Sequence, residues 1–269
     1  MVRVNIQRTK YKQITSCFQF DASYPKSRAL IELKSRHVSD RLLQGLTKLA
    51  EGEAEKVLGK PQVLPVLRFV QTFLDDNPLC CCSEEIANVR KKLKPQTDSI
   101  KLRQKNSSVL VKVGDANYYI KYNLTIPQDY PDTCIRIEER ACNYPPVFRR
   151  WFRAQSEEIA RRCVQPPAKL NPQKDPPFVL APSLEPVVNF LLDEAHRYVK
   201  MVCKVCGERA FPDDPQEVEM EESGARHVER VYCGHIYHNA CLDRYIKSPP
   251  FQSLKSCHSC GLRIYHEKW

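Results

Sequence analysis

Glycine is scarce in this chain, with eight residues against 20 prolines in 269. That balance excludes long flexible linkers and implies ordered elements joined by stiff connections. Long apolar runs are missing as well. The first ten residues, Met1 to Lys10, carry no apolar stretch behind their basic side chains and do not read as a secretory signal. No segment approaches the roughly 18 consecutive apolar residues a membrane span needs. No membrane is therefore expected as a partner, and the expected compartment is the cytoplasm, the nucleus or both. Also absent is any stripe of Lys and Arg interleaved with aromatics, which argues against nucleic acid as a ligand despite a formal charge of +10. The surplus sits in residues 1–200, with 33 basic against 22 acidic side chains, while residues 201–269 carry 9 against 10. It reads as a solvated basic surface.

Cysteine, by contrast, is plentiful at 13. In an intracellular chain that number points to metal or free thiols rather than to a disulfide framework. Seven of them (Cys17, Cys80, Cys81, Cys82, Cys134, Cys142 and Cys163) lack metal-type spacing with a nearby His. The other six fall in the last quarter. They read Cys203-Lys-Val-Cys206, Cys233-Gly-His235, His238, Cys241 and Cys257-His-Ser-Cys260. Two Cys-x-x-Cys pairs thus flank a central Cys-x-His-x-x-His-x-x-Cys. Thiolates and imidazoles at these spacings predict two structural zinc ions, each tetrahedrally held by four ligands. His227, His258 and His266 lie close enough to compete as ligands. The acidic run from Asp213 to Glu222, inside the 26 residues between Cys206 and Cys233, reads as a solvated loop.

The first 200 residues contain a degenerate repeat. An alternating run from Cys17 meets Tyr24-Pro25, and a strand-like segment follows over 28–33. Likewise, Tyr119 to Ile126 meets Tyr130-Pro131, and a second strand follows over 134–139. Helical patterns come next, over 39–58 and 147–163. Each copy closes with a helix carrying Pro near its start, Pro65 in one and Pro186 in the other, where a missing N–H costs the first turn nothing. Ser183 is expected to cap the second of these helices through its hydroxyl. The second copy adds a short leading helix over 83–93, strands over 99–103, 108–113 and 118–126, and a hairpin turn at 114–117. The fold class is therefore α+β, and three units follow: 1–79, 80–200 and 201–269. Seven prolines between 164 and 186 mark an extended segment inside the second unit, most simply a loop packed across its own domain. The helix over 187–199 runs almost directly into Cys203, so the connection limits reorientation of the zinc module.

The order and spacing of the eight ligands resemble the RING-H2 finger of RING-type ubiquitin ligases. Helix, antiparallel meander, Tyr-Pro turn, strand and closing helices resemble the RWD domain, a relative of the ubiquitin-conjugating-enzyme fold. Two RWD-like lobes before a RING-type finger are also the architecture of the Fanconi anaemia group L ligase family, which has Cys where this chain has His at the fourth ligand. The resemblance implies a cross-brace in which Cys203, Cys206, His238 and Cys241 hold one ion, and Cys233, His235, Cys257 and Cys260 the other. It implies that a ubiquitin-conjugating enzyme docks on a shallow groove made by Val205, by Tyr245 on a helix over 239–247, and by the loop around His258 and Ser259. The RWD-like lobes would bind a protein substrate or other partners. No residue of the finger would act on the substrate chemically, because a RING orients the loaded enzyme. Two positions depart from many ligases: His258 stands where Pro follows the seventh ligand, and Gly261 where a cation follows the eighth. A non-catalytic, zinc-stabilised scaffold is the alternative. A PHD finger fits less well, since Lys255 occupies the position two before the seventh ligand where an aromatic is usual. The second lobe does not read as a working conjugating enzyme, since Cys142 lacks the preceding His-Pro-Asn segment.

Overall fold

The computed structural model describes residues 1–167, 176–250 and 255–265, and is mixed α+β with antiparallel sheets. The first lobe is a three-stranded meander, β1 (Val2–Gln7), β2 (Gln13–Gln19) and β3 (Leu30–Lys34), backed by α1 (Asp40–Glu55) and α2 (Val63–Asp76). Its core is a separate apolar cluster in which Ile14 and Phe18 of β2 meet Leu43 and Leu46 of α1 and Val66 and Val70 of α2. β1 is an element the sequence reading did not identify, although Val2, Val4 and Ile6 alternate along it. The strand expected from Cys17 onward ends at Gln19, because Asp21 accepts the Ser23 amide at 3.0 Å and turns the chain.

The second lobe begins with α3 (Ser83–Lys92). It continues through a four-stranded meander, β4 (Ser99–Arg103), β5 (Ser108–Gly114), β6 (Tyr119–Thr125) and β7 (Arg136–Cys142), and closes with α4 (Pro146–Val164) and α5 (Leu184–Tyr198). β5 is almost wholly buried, as its Val-Leu-Val run requires. On α4, Phe148, Phe152, Ser156 and Ala160 are buried at a spacing of four, which puts one helical stripe against the sheet. Of the Pro-rich segment, residues 168–175 lie outside the described residues. On its far side the Ala181 amide bonds the Cys163 carbonyl at 2.9 Å, tying it to the end of α4.

The repeat extends to individual hydrogen bonds. Tyr24 and Tyr130 each precede a cis proline. The Tyr24 hydroxyl accepts from the amide of Gln62, the residue before α2, at 3.0 Å. The Tyr130 hydroxyl accepts from the amides of Ser183 and Leu184 at the start of α5, at 2.9 and 3.1 Å. Five residues after each tyrosine, a strand-entry amide is caught by the same pre-helix residue. Ala29 donates to Gln62 Oε1 at 2.8 Å, and Ile135 donates to Ser183 Oγ at 3.1 Å. The expected helix cap at Ser183 is therefore corrected. Its hydroxyl serves the strand, and the open amides of α5 are taken by Tyr130 and by Glu85, whose Oε1 accepts from Glu185 N at 2.9 Å.

A 3-10 turn, Pro78–Cys82, joins the lobes. It sends Cys80 into the first core and Leu79 and Cys82 into the second. Lys10 pairs with Asp132 at 2.9 Å across the joint, and Tyr11 also hydrogen-bonds Asp132. The C-terminal module contributes a two-stranded ribbon, β8 (Val228–Arg230) and β9 (Ile236–His238), and α6 (Asn239–Lys247). It is welded to the second lobe rather than tethered to it. Ala210, Phe211, Val218, Val228 and Ile236 belong to the same continuous apolar core as α4 and α5. Among the described residues no helix is long and apolar enough to cross a membrane.

Candidate metal centre

Two short knuckles set the geometry. In the first, Cys203 N donates to Glu208 O at 2.8 Å and Gly207 N to Cys203 O at 2.7 Å; in the second, Cys257 N donates to Leu262 O at 2.7 Å and Gly261 N to Cys257 O at 2.8 Å. Gly207 and Gly261 hold φ of +78° and +72°, the left-handed turn that folds each loop back over its own sulfurs. Gly261 therefore has a backbone task, and Arg263, two residues on, lies over the Tyr265 ring at 4.6 Å.

β8, β9 and the first turn of α6 bring the central ligands between the knuckles. Cys203, Cys206, His238 and Cys241 form one cluster and Cys233, His235, Cys257 and Cys260 the other, and within each the ligand atoms all lie within 4.8 Å of one another. A tetrahedral site with metal–sulfur bonds near 2.3 Å needs sulfurs about 3.8 Å apart, so both spans suit one ion. The pairing is interleaved: the first knuckle joins the third pair, and the second pair joins the last knuckle. His258 is exposed and in neither cluster. His227 is buried, with Nδ1 3.0 Å from the Glu219 carbonyl, and is in neither cluster. His266 lies outside the described residues.

The imidazoles are oriented for ligation. His238 Nδ1 is 3.3 Å from Cys206 Sγ, while Nε2 sits 3.2 Å from the Arg209 carbonyl. That carbonyl fixes the proton on Nε2 and leaves the Nδ1 lone pair for a metal. His235 Nδ1 is 3.4 Å from Cys233 Sγ. Burial works against the thiolate of Cys203, but His238 and the amides of Cys206, His238 and Val205 outweigh it and bring the thiol down to about 6. Cys257 is also lowered against its burial, by the Tyr237 hydroxyl and the amides of Ser259 and Cys260. Burial first, then the charge of Cys203 and Cys206, pushes Cys241 up to about 12. Three cysteine sulfurs thus crowd into one small site where burial and mutual repulsion oppose their joint ionisation, and a divalent cation would remove that conflict. A Cys3His donor set in each cluster fits Zn²⁺ among the common ions.

Beneath the ligands lies a small core of Val231, Tyr237 and Leu242, on which Val205 packs half-buried. Tyr237 was not among the expected functional residues. Its hydroxyl lies 3.0 Å from Cys257 Sγ and accepts from His258 N at 3.2 Å, so it orients the second knuckle. Only its position between two ligand histidines hinted at this. Of the expected groove, the structure brings Tyr245 and His258 together, with ring centroids 4.0 Å apart, and Tyr245 donates to Ser256 O at 2.8 Å. Val205 sits on the other knuckle against the module's own core, and Ser259 is exposed.

The stretch expected to be a solvated acidic loop keeps Asp213, Asp214, Glu217, Glu221 and Glu222 exposed, but apolar residues beside it and within it anchor it to the second lobe. Phe211 is inserted among Tyr118, Tyr144 and Phe148, and Tyr118 donates to Pro212 O at 2.9 Å. Val218 is buried, and Glu219 Oε2 accepts from Arg226 N at 2.6 Å. On the opposite flank, Arg230 lies over the Trp151 ring at 4.2 Å and donates to the Tyr198 hydroxyl at 2.8 Å. Cys142 is half-buried in the second lobe, and burial raises its thiol to about 11, which suits a packed thiol and not a nucleophile.

No family model matches this chain, and no curated protein or solved structure matches it.

Proposed function

We propose that the chain is a RING-type E3 ubiquitin ligase that carries two structural zinc ions, recruits a ubiquitin-conjugating enzyme on its C-terminal module and binds its protein substrate through two RWD-like lobes. One observation carries the reading. Eight ligands, taken in sequence order, fall into two interleaved Cys3His tetrads, and the Tyr245 and His258 rings meet beside the second knuckle. The chemistry asked of the module is orientation. It holds the enzyme–ubiquitin thioester in a reactive conformation, and no side chain of the module attacks or transfers a proton. Zinc ions held by Cys203, Cys206, His238 and Cys241 and by Cys233, His235, Cys257 and Cys260 would shape the docking surface and, with four protein ligands each, would serve structure rather than catalysis. Because Phe211 and Arg230 fix the module to the second lobe, a substrate on the lobes would meet the bound enzyme at a set angle.

A non-catalytic scaffold is the second reading, and Gly261 favours it. The knuckle requires its positive φ, so the position directly after the last ligand offers no cation to bridge enzyme and ubiquitin. A reconstituted reaction separates the two: purified chain, activating enzyme, ubiquitin and a panel of conjugating enzymes. The ligase reading expects ubiquitin discharge with at least one enzyme, reduced about tenfold or more by Val205→Ala or Tyr245→Ala with two zinc ions retained. Silence across the panel with zinc fully bound would select the scaffold.

A further inference from the structure

The sheet of the second lobe has two faces of opposite character. Side chains alternate along a strand. Val109, Val111 and Val113 of β5 and Ile120, Tyr122 and Leu124 of β6 enter the core shared with α4 and α5, so the residues between them stand on the opposite face. The pairing register places Lys101, Leu110, Asn123 and Glu138 in one row across that face. Arg103 and Arg136 end the row on one side of it, and Lys112 faces Lys121 in the row on the other. Glu138 is the one carboxylate in these three rows, and Arg140 holds it at 2.8 Å.

This face carries a cost that the fold does not require. Lys112 and Lys121 are direct partners on the two central strands, where like charges repel. Among the described residues, no carboxylate pairs with Lys101, Arg103, Lys112, Lys121 or Arg136. Between these cations lie groups short of partners. Leu110 is buried yet belongs to none of the three apolar cores. Beside it, Asn123 Oδ1 and Ser108 Oγ are buried with no hydrogen-bond partner, where a polar atom is ordinarily satisfied. The long basic side chains at the neighbouring positions have the reach to swing off them.

We propose, resting on the reading of the lobes as substrate-binding, that this face docks an acidic polypeptide segment, rich in Asp and Glu with an apolar residue among them. Its carboxylates pair with Lys112 and Lys121, which relieves their repulsion, and with Lys101, Arg103 and Arg136 around them. Its apolar side chain covers Leu110. Its backbone supplies N–H donors, which the open oxygens of Asn123 and Ser108 need and which a phosphodiester chain lacks. Nucleic acid also binds single strands by stacking, but the centre of the face holds Leu110 and Asn123. The aromatic at its margin, Tyr119, already lies under Lys112, whose Nζ is 4.9 Å from the ring centroid.

The test uses the full, zinc-loaded chain without activating or conjugating enzyme, and the fluorescence anisotropy of a short labelled peptide that alternates Glu and Asp around a central Leu. Silence in ubiquitin transfer therefore does not touch it, and a failure here leaves the ligase reading standing. The peptide should bind, less tightly as salt is raised, and its Gln/Asn counterpart should bind at least tenfold more weakly. Lys112→Gln with Lys121→Gln should lower the affinity about tenfold while thermal stability stays level or rises, a combination a structural role would not produce. Lys48→Gln with Lys60→Gln makes the same change of net charge at exposed first-lobe positions, and its affinity should stay within about twofold of the parent. Equal affinity for the two peptides, unchanged affinity in the Lys112 and Lys121 variant, or an equal loss in the first-lobe variant would overturn the proposal. So would tighter binding of an oligonucleotide of equal charge that the Lys112 and Lys121 variant loses, which would assign the face to nucleic acid. Should that variant fail to fold, Lys101→Gln with Arg136→Gln, both at exposed positions, must still weaken peptide binding severalfold, and an unchanged affinity refutes the site.

Discussion

Phe211 of the metal module stands 5.1 Å, ring centroid to ring centroid, from Phe148 of α4, edge to face, and both are buried. The contact makes the second lobe and the module share one core. Truncation of a large buried aromatic removes its burial and leaves a cavity, at roughly 3–5 kcal/mol. Phe211→Ala is expected to destabilise the second lobe by that amount, read from urea unfolding followed by the fluorescence of Trp151, whose ring lies under Arg230. A loss below about 1 kcal/mol would mean that the insertion is decorative and the module folds apart from the lobe.

The same weld predicts how far metal removal is felt. Structural zinc in small fingers contributes roughly 10–16 kcal/mol per site to folding, and here the ligand strands continue into the shared core. Chelation is expected to remove two zinc ions per chain and to raise amide exchange through residues 203–264. The rise should spread to α4 and α5 through Phe211 and Arg230 and stop at the first lobe, whose apolar cluster is separate. Protection in α4 and α5 that is unchanged after complete chelation would contradict the shared core.

The two tyrosines of the repeat differ in how much hangs on them. The Tyr130 hydroxyl accepts from two amides and donates to Glu85 Oε2 at 2.6 Å, all buried. Tyr24 accepts from one amide at a half-buried position. An orphaned buried polar group costs about 1–3 kcal/mol. Tyr130→Phe is therefore expected to cost about 2–3 kcal/mol and Tyr24→Phe about 1 kcal/mol or less. Equal losses in chemical denaturation would show that the two turns are used alike.

The ligands and the repeat were legible because their signals are local: fixed spacings for the first, period-2 runs meeting Tyr-Pro for the second. The α6 reading, 239–247, coincides with the helix that forms. What stayed hidden depends on distant partners. Ser183 reads as a cap by residue type, yet Ile135, 48 residues away, takes its hydroxyl. The acidic run from Asp213 reads as solvated by composition and its carboxylates are mostly exposed, but the residues that pin it to the second lobe, Phe211 before it and Val218 within it, are isolated apolar positions. β1 was hidden for the opposite reason: three alternating apolar residues at a chain end are too short a pattern to separate from chance.

Glu85 gives the second lobe a pH signature. Burial raises its carboxyl above the ordinary value of 4.5, opposed by the hydrogen bonds from Tyr130 and from the amides of Glu185 and Leu184. A carboxyl that holds its proton more tightly in the folded state adds stability that is fully present below the unfolded value. That contribution is lost as pH rises through the raised folded value. Glu85→Gln removes the titration. It also leaves one of two contacts poorly matched, because an amide offers a single acceptor oxygen to Tyr130 and the Glu185 amide, at a pH-independent cost of about 1 kcal/mol. The parent chain is therefore expected to lose stability, relative to the variant, as pH is raised from 4.5 toward neutrality, so that the two urea-unfolding curves approach each other. Parallel stability–pH curves over that range would mean that Glu85 titrates alike in the folded and unfolded chain, and that the hydrogen bonds cancel the burial.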